Sequence, residues 1–221
     1  MHRERRNPKH LLIEIELLKP QLNISKDLYQ FRGITNYGGY SCYVISFLQI
    51  ILHCNLLPML EEEENKILYN LKDLMNSKQN KKAVSLETFF IAWKGWEYDK
   101  ELPTSQGDVI EFANFFLLSL SQSLQNLFLI PFMNPNENVS KFIFNIELDG
   151  SDIQQCVNNS LSSNIIDGTM PSYFLIHVNR INSNNTYNRQ IVNLNTQLQI
   201  NGENYYLFSV ITHIGNITKL S

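Results

Sequence analysis

The sequence is poor in the features that mark metal centres, disulfide frameworks and nucleic-acid surfaces. Its 221 residues include three cysteines, Cys42, Cys54 and Cys156, and no Cys-x-x-Cys pair. This excludes a disulfide framework and a structural zinc site of the usual spacing. The formal net charge of −3 provides no basic excess for nucleic acid or an anionic membrane. We therefore predict no metal, no cofactor, and no nucleic-acid or membrane partner.

Long apolar runs are also missing. The most apolar stretch, residues 42–57, is interrupted by polar side chains such as Gln49 and His53, and it is too short and polar to span a membrane. Residues 1–20 lack the apolar block and the small-residue cleavage site of a signal peptide. Hydrophobic residues make up 43% and charged residues 18% of the chain, which is typical of a globular protein. We expect a cytoplasmic or nuclear location.

Hydrophobic periodicity divides the chain into a helical first part and a β-rich second part. Apolar residues at helical spacing predict helices over residues 11–18, 42–53, 61–75, 85–93 and 108–125. Alternation and turn residues predict strands over 141–148, 173–178, 190–194 and 205–212, with a short helix at 152–161. This order predicts an α+β protein with a cleft between two subdomains. The four glutamates at 61–64 are predicted to be a solvated helix start.

A glycine-bearing turn leads to a cysteine at the start of a helix. Residues 33–41 carry one amide side chain, Asn36, and the apolar helical pattern begins at Cys42. The first turn of a helix favours a thiolate through its backbone N–H groups and its macrodipole. The thiolate is the nucleophile of cysteine hydrolases. The alternative is a buried helical cysteine beneath a loop.

Later segments carry polar groups that have a structural and a functional interpretation. Gln106 and Asp108 lie at the start of a predicted helix. In the structural interpretation they cap this helix. In the functional interpretation they point into a cleft and hold an extended peptide. His177 lies among the apolar residues of a predicted strand, a position more typical of a hydrogen-bonded core residue than of a catalytic one. His213 follows the last predicted strand.

Together and in this order, these segments resemble four sequence boxes of the ubiquitin-specific protease family of deubiquitinating enzymes. The first resembles the cysteine box Gly-x-x-Asn-x-Gly-x-Thr-Cys-Tyr-x-Asn-Ser-x-Leu-Gln through Gly33, Asn36, Gly38, Cys42, Tyr43, Ser46, Leu48 and Gln49. The second resembles Gln-Gln-Asp-Ala-x-Glu-Phe through Gln106, Asp108, Glu111 and Phe112. The third resembles Leu-Pro-x-x-Leu-x-x-x-Leu-x-Arg-Phe through Pro171, Phe174, Leu175 and Arg180. The fourth resembles Tyr-x-Leu-x-Ala-Val-x-x-His-x-Gly through Tyr205, Leu207, Val210, His213 and Gly215.

The resemblance implies a papain-like cysteine protease fold. Residues 1–30 are then an N-terminal extension and residues 31–130 a helical thumb-like subdomain. Residues 131–221 are a β-rich palm with much reduced fingers, incomplete at the C-terminus. The implied activity is that of a thiol-dependent ubiquitin carboxyl-terminal hydrolase, which cleaves the isopeptide bond after the C-terminal Gly-Gly of ubiquitin. The implied partners are ubiquitin or a ubiquitin-like modifier, and ubiquitinated proteins.

The resemblance also implies roles for individual residues. Cys42 is implied to be the nucleophile, and Asn36 to donate a hydrogen bond to the oxyanion. Gln106, Asp108 and His213 are implied to bind the substrate, with Asp108 contacting the basic tail of ubiquitin. One extra residue separates Asn36 from Cys42 relative to the family box, so the resemblance does not fix whether Asn36 reaches the oxyanion.

The family's catalytic histidine, and the Asp or Asn that orients it, have no counterpart before Ser221. A cysteine hydrolase needs a base that activates the sulfur and protonates the leaving amine, so this chain is expected to turn over substrate negligibly. Three alternatives remain open. The chain is a deubiquitinase or its incomplete catalytic domain, a non-catalytic ubiquitin-binding pseudoprotease, or a degenerate domain that does neither.

Overall fold

The computed structural model describes a large part of the chain in two compact units. The described residues are 10–16, 34–36, 39–54, 56, 59–76, 83, 85–86, 89, 107–133, 141–162, 166–181, 186, 188 and 190–212. One unit, Pro20–Asn126, is here called the helical unit. The other, Met1–Lys19 with Leu127–Ser221, is called the sheet unit. The start of the chain therefore belongs with its second half.

The helical unit contains four described helices. They are α1 (Cys42–His53), α2 (Glu62–Asn76), α3 (Val109–Ser119) and α4 (Gln122–Gln125). The helices predicted over residues 42–53 and 61–75 are confirmed. The helix predicted over residues 108–125 is wrong as a single element, because the backbone is extended at Leu120 and the chain starts a new helix after Ser121. Most of the helix predicted over residues 85–93 lies outside the described residues.

A carboxylate from α2 explains the break between α3 and α4. Glu64 Oε1 accepts a hydrogen bond of 2.6 Å from the backbone N–H of Ser121, and Glu64 Oε2 accepts one of 3.3 Å from the Ser121 hydroxyl. Glu64 Oε2 also accepts from the N–H of Glu61, at 3.2 Å. The Glu64 carboxylate thus caps its own helix and the start of α4, where negative charge is favourable. The glutamate run was predicted to be solvated throughout, and Glu64 departs from that prediction.

Aromatic side chains hold α1 against α3. Phe47, Phe112 and Phe116 are fully buried. The Phe47 ring meets Phe112 and Phe116 edge to face, with centroids 6.0 Å and 5.9 Å apart. Pairs of this geometry contribute about 0.5–1.5 kcal/mol beyond the area they bury. The spacing of four residues between Phe112 and Phe116 places both rings on one face of α3.

The sheet unit contains a five-stranded sheet in the order β2-β3-β1-β5-β4. The strands are β1 (His10–Glu16), β2 (Ile143–Glu147), β3 (Tyr173–Asn179), β4 (Gln197–Ile200) and β5 (Glu203–Thr212). β2 and β3 are parallel, and every other neighbouring pair is antiparallel. The strands predicted near β2, β3 and β5 are confirmed.

The central strand β1 corrects the prediction for the start of the chain. The helix predicted over residues 11–18 is wrong. Residues 11–16 pair with β3 on one side and with β5 on the other, so the two neighbours satisfy backbone groups that a helix would satisfy internally. The run Ile13-Glu14-Ile15-Glu16 alternates with the period of a strand. The segment expected to be an N-terminal extension thus contains the middle strand of the sheet.

A tight hairpin, which the sequence analysis missed, joins β4 to β5. The two linking residues, Asn201 and Gly202, have φ values of 49° and 85°. Positive φ at both positions is the requirement of a type I′ turn, for which Asn-Gly is the preferred pair. The alternation of Leu198 and Ile200 with polar residues before this Asn-Gly pair was the available signal.

The strand predicted over residues 190–194 is wrong, because this segment serves instead to cap a helix. The helix α5 (Ile153–Leu161) begins beside it. The N–H of Ile153 donates to the carbonyl of Asn193 at 3.1 Å, and the N–H of Gln154 donates to Asn195 Oδ1 at 3.0 Å. Helix N-termini leave such N–H groups without intrahelical acceptors. The carbonyl of Asn193 and the side chain of Asn195, just after this segment, therefore accept hydrogen bonds at the start of α5.

The core of the sheet unit lies between α5 and one face of the sheet. Its buried residues come from α5, from β2 to β5 and from the connecting loops: Ile130, Phe144, Ile146, Leu148, Ile153, Cys156, Val157, Ile166, Phe174, Ile176, Val178, Leu198, Ile200 and Tyr205. The Tyr205 hydroxyl donates to the carbonyl of Pro171 at 2.8 Å. Burial raises the pKa of this phenol well above its usual value, so it remains a hydrogen-bond donor at neutral pH.

The side chain of Gln154 pairs with the outer strand β4. Its Nε2 donates to the carbonyl of Gln199 at 2.9 Å, and its Oε1 accepts from the N–H of Gln199 at 2.7 Å. The amide thus occupies backbone groups that an edge strand otherwise offers to another chain.

We predict that Gln154→Glu lowers the free energy of unfolding by about 1–3 kcal/mol, and more than Gln154→Ala does. The carboxylate cannot donate to the Gln199 carbonyl and faces it with a negative charge. Urea unfolding followed by circular dichroism measures the difference.

The matched control is Gln155→Glu on the same helix. Gln155 Oε1 accepts from the N–H and the hydroxyl of Ser151, a role that a carboxylate retains. An equal loss of stability in Gln154→Glu and Gln155→Glu would contradict the interpretation.

Candidate active site

The loop before α1 folds back on its own start. The carbonyl of Asn36 accepts a hydrogen bond of 3.4 Å from the N–H of Gly39, which has a φ of 79°. Asn36 Oδ1 accepts from the Ser41 N–H at 2.9 Å and from the Ser41 hydroxyl at 3.0 Å. The turn at Gly39 uses a conformation that glycine adopts without strain. The side chain of Asn36 is exposed, whereas Ser41 is 1% exposed.

Cys42 is the first residue of α1. The N–H of Ile45 donates to the Ser41 carbonyl at 3.0 Å, which is the first bond of the helix. The Ser41 hydroxyl does not cap α1. Cys42 therefore lies at a helix N-terminus, where the first backbone N–H groups lack intrahelical acceptors.

Accessibility separates Cys42 from the other two cysteines. Cys54 is 3% exposed and Cys156 is fully buried, whereas Cys42 is half-buried and free. Cys42 is thus the most exposed of the three cysteines, and its role as the nucleophile stays a prediction. The alternative of a cysteine enclosed beneath a loop is not what the structure shows.

The second box packs directly on the first. The Tyr43 ring meets Phe112 edge to face, with centroids 6.0 Å apart. A Cβ atom on Gly107 would lie 2.7 Å from Tyr43 Cζ and 2.9 Å from Tyr43 Cε2. The backbone before α3 therefore approaches the residue after Cys42 as closely as glycine permits. Two segments that are distant in the sequence meet within the helical unit.

The electrostatic surroundings of Tyr43 connect the same residues. Burial raises the pKa of its phenol, and negative charge on Cys42 and on Glu111 raises this pKa further. The phenol thus stays protonated at neutral pH. The influence of both groups on one phenol indicates that Glu111 of the second box and Cys42 of the first share an electrostatic environment.

Asp108 is the N-cap of α3, and its capping interpretation is confirmed. Asp108 Oδ1 accepts from the N–H of Ile110 at 2.6 Å and from that of Glu111 at 3.3 Å. The residue is exposed, so the cap does not remove its charge from solvent. The substrate-binding role of Asp108 stays a prediction. Gln106 and His213, which share that predicted role, lie outside the described residues.

The helical unit supplies no histidine near Cys42. His53 is the one histidine between residues 20 and 126, and it ends α1. A helix rises 1.5 Å per residue, which puts these two residues about 16 Å apart along the axis. The helical unit therefore provides no histidine base for Cys42.

His177, in the sheet unit, is hydrogen-bonded as the sequence predicts, but it is half-buried rather than enclosed in the core. Its Nδ1 lies 2.8 Å from Asn145 Oδ1 on β2. Two residues further along both strands, Asn179 Nδ2 donates to Glu147 Oε1 at 2.8 Å. These cross-strand pairs form a polar row. The sequence signal for it was the alternation of Asn145 and Glu147 with buried residues along β2.

The described part of the chain contains no group of three or more His, Cys, Asp or Glu residues arranged to hold a metal ion. None of its helices is long and apolar enough to cross a membrane.

Comparison with family models matches residues 32–219 to the ubiquitin carboxyl-terminal hydrolases. The chain belongs to this family. The match includes Cys42 and extends over both units, and it confirms the resemblance to the ubiquitin-specific proteases and the papain-like α+β fold. Members of the family act on ubiquitin and ubiquitinated proteins. No curated protein and no solved structure matches the chain.

We predict that Gly107→Ala destabilises the helical unit by about 1–3 kcal/mol, the usual cost of overpacking. The added methyl group overlaps the Tyr43 ring, which Phe112 prevents from moving freely. Chemical unfolding followed by circular dichroism at helical wavelengths measures the effect.

The control places Gly107→Ala in a Tyr43→Leu background, where the shorter side chain leaves room for the methyl group. The cost of Gly107→Ala should then be clearly smaller. The same cost in both backgrounds would show that the ring contact does not cause it.

Proposed function

We propose that the chain is a thiol-dependent ubiquitin carboxyl-terminal hydrolase in which Cys42 is the nucleophile. The observation that carries this proposal is the position of Cys42, a half-buried free cysteine at the first residue of a helix inside a matched family domain. The substrate is a carbonyl that follows the C-terminal Gly-Gly of ubiquitin. A reducing compartment, the cytosol or the nucleus, keeps such a thiol reduced.

The reaction proceeds by acyl transfer to sulfur. The Cys42 thiolate attacks the carbonyl carbon, a C–S bond forms, and the carbonyl oxygen becomes an oxyanion. Collapse of this intermediate breaks the C–N bond, and the amine leaves with a proton from a general acid. Water then hydrolyses the thioester and restores the thiol. Because no histidine of this chain matches the family's general base, we propose that Cys42 is acylated by activated ubiquitin derivatives, whereas turnover of amide substrates is negligible.

Asn36 is the donor that we propose for the oxyanion. Its Oδ1 is held by Ser41, the residue directly before Cys42, and its side chain is exposed to an incoming substrate. A single positioned donor of this kind contributes about 10²–10³-fold to the rate.

Asp108 is proposed to contact the basic tail of ubiquitin, together with Gln106 and His213. The support for Asp108 is its exposed carboxylate next to Gly107, which packs on the ring that follows Cys42. An extended chain that reaches the sulfur would pass close to this charge. The three residues would hold the substrate rather than take part in bond cleavage.

Ubiquitin with a thiol-reactive electrophile at its C-terminus tests the nucleophile. We predict a covalent adduct with the chain that Cys42→Ala abolishes, whereas Cys54→Ala and Cys156→Ala retain it. Intact mass spectrometry and peptide mapping measure the adduct. Release of a fluorophore from a ubiquitin C-terminal amide then measures turnover separately.

Each outcome separates the alternatives. Labelling at Cys42 supports the proposal. Binding of ubiquitin that survives Cys42→Ala, with no adduct and no turnover from the parent chain, would favour a non-catalytic ubiquitin-binding pseudoprotease. The absence of both adduct and binding in a folded sample would refute either function.

A further inference from the structure

We propose that Ser41 is a positioning residue that sets the orientation of the Asn36 amide for oxyanion stabilisation. This inference rests on the proposed function, because it concerns the same acyl transfer at Cys42. Ser41, the residue before the proposed nucleophile, would then act through the side chain of Asn36 and not on the sulfur of Cys42.

The hydrogen bonds around Asn36 determine which end of its amide faces Ser41. Both the backbone N–H and the hydroxyl of Ser41 approach Asn36 within 3.0 Å. A backbone N–H can only donate, so the group that receives it must be an acceptor. Asn36 Oδ1 therefore faces Ser41, and Nδ2, with its two hydrogens, faces away. In the flipped orientation, the Nδ2 hydrogens of Asn36 would face the backbone N–H of Ser41, and two donors would meet without an acceptor.

The two partners differ in exposure, which makes Ser41 the one that fixes the other. Ser41 is 1% exposed and is held as the N-cap of α1. Asn36 is exposed, and an exposed amide side chain is free to rotate unless it is bonded. The hydroxyl adds a second bond to the same oxygen, so the amide is held at two points and not at one.

The same pair of bonds accommodates the extra residue in this loop. The loop closes between Asn36 and Ser41, and Gly39 supplies the left-handed turn within it. Asn36 is therefore anchored to the residue that adjoins Cys42, whatever the number of residues between them. Its donor end is held with respect to the first residue of α1.

Two ubiquitin derivatives distinguish an effect on the oxyanion from an effect on the thiol. A ubiquitin C-terminal thioester acylates Cys42 through a tetrahedral oxyanion, and its leaving thiolate needs no proton. A ubiquitin with a C-terminal haloalkyl group alkylates Cys42 by displacement of halide, and no oxyanion forms. Single-turnover rates with both reagents are measured by intact mass spectrometry on the full chain.

We expect Ser41→Ala to slow acylation by roughly 10- to 100-fold, the scale of a small misplacement of a catalytic group, and to leave alkylation unchanged. Ser41→Thr, which keeps the hydroxyl, should retain the acylation rate. Asn36→Ala should lower acylation at least as much as Ser41→Ala. The double variant should be no slower than Asn36→Ala, because Ser41 acts through Asn36.

Several results would overturn the inference while leaving the proposed function intact. Acylation by Ser41→Ala at the parent rate would do so, as would fully additive losses in the double variant. An equal loss of alkylation would place Ser41's effect on the thiol or on the fold. A parent chain that reacts with neither reagent would instead overturn the proposed function.

Discussion

The close contact between Gly107 and the ring of Tyr43 is the constraint on which the site in the helical unit depends. It joins the loop before α3 to the first turn of α1, and Phe112 holds the ring from a second direction. The family box has a glutamine where this chain has Gly107. The ring occupies the space that a side chain at this position would need. This packing places the loop that contains Asp108 against the residue that follows Cys42.

Local signals in the sequence were sufficient for the nucleophile and for the cap. A loop with glycines, a cysteine and an apolar helical period predict Cys42 at a helix start, and the structure places it there. Asp108 precedes an apolar helix, and its carboxylate caps that helix. Such features depend on a few neighbouring residues, so the sequence contains what determines them.

Features that depend on partners distant in the sequence could not be predicted from the sequence. The isoleucine–glutamate alternation of β1 is a strand signal, but only the neighbours β3 and β5 make a strand of it. Likewise, nothing next to Glu64 shows that its carboxylate caps a helix more than fifty residues away. Residues 190–194 have the apolar content of a strand, but the carbonyl of Asn193 accepts a hydrogen bond from the N–H of Ile153 at the start of α5. The bonds from Ser41 to Asn36 are local, yet a choice between amide orientations is invisible in a sequence.

The position of β1 has a consequence for biosynthesis. Leu11 pairs with Thr212 and with Val178. The ribosome therefore makes the middle strand of the sheet first and the strands on either side of it later. Until its neighbours have been made, β1 stays unpaired. Its pairing also requires closure of a long loop, whose entropic cost comes before the gain from the contacts. Completion of the sheet is therefore a late event, because β1 gains its two neighbours only after β3 and then β5 have been made.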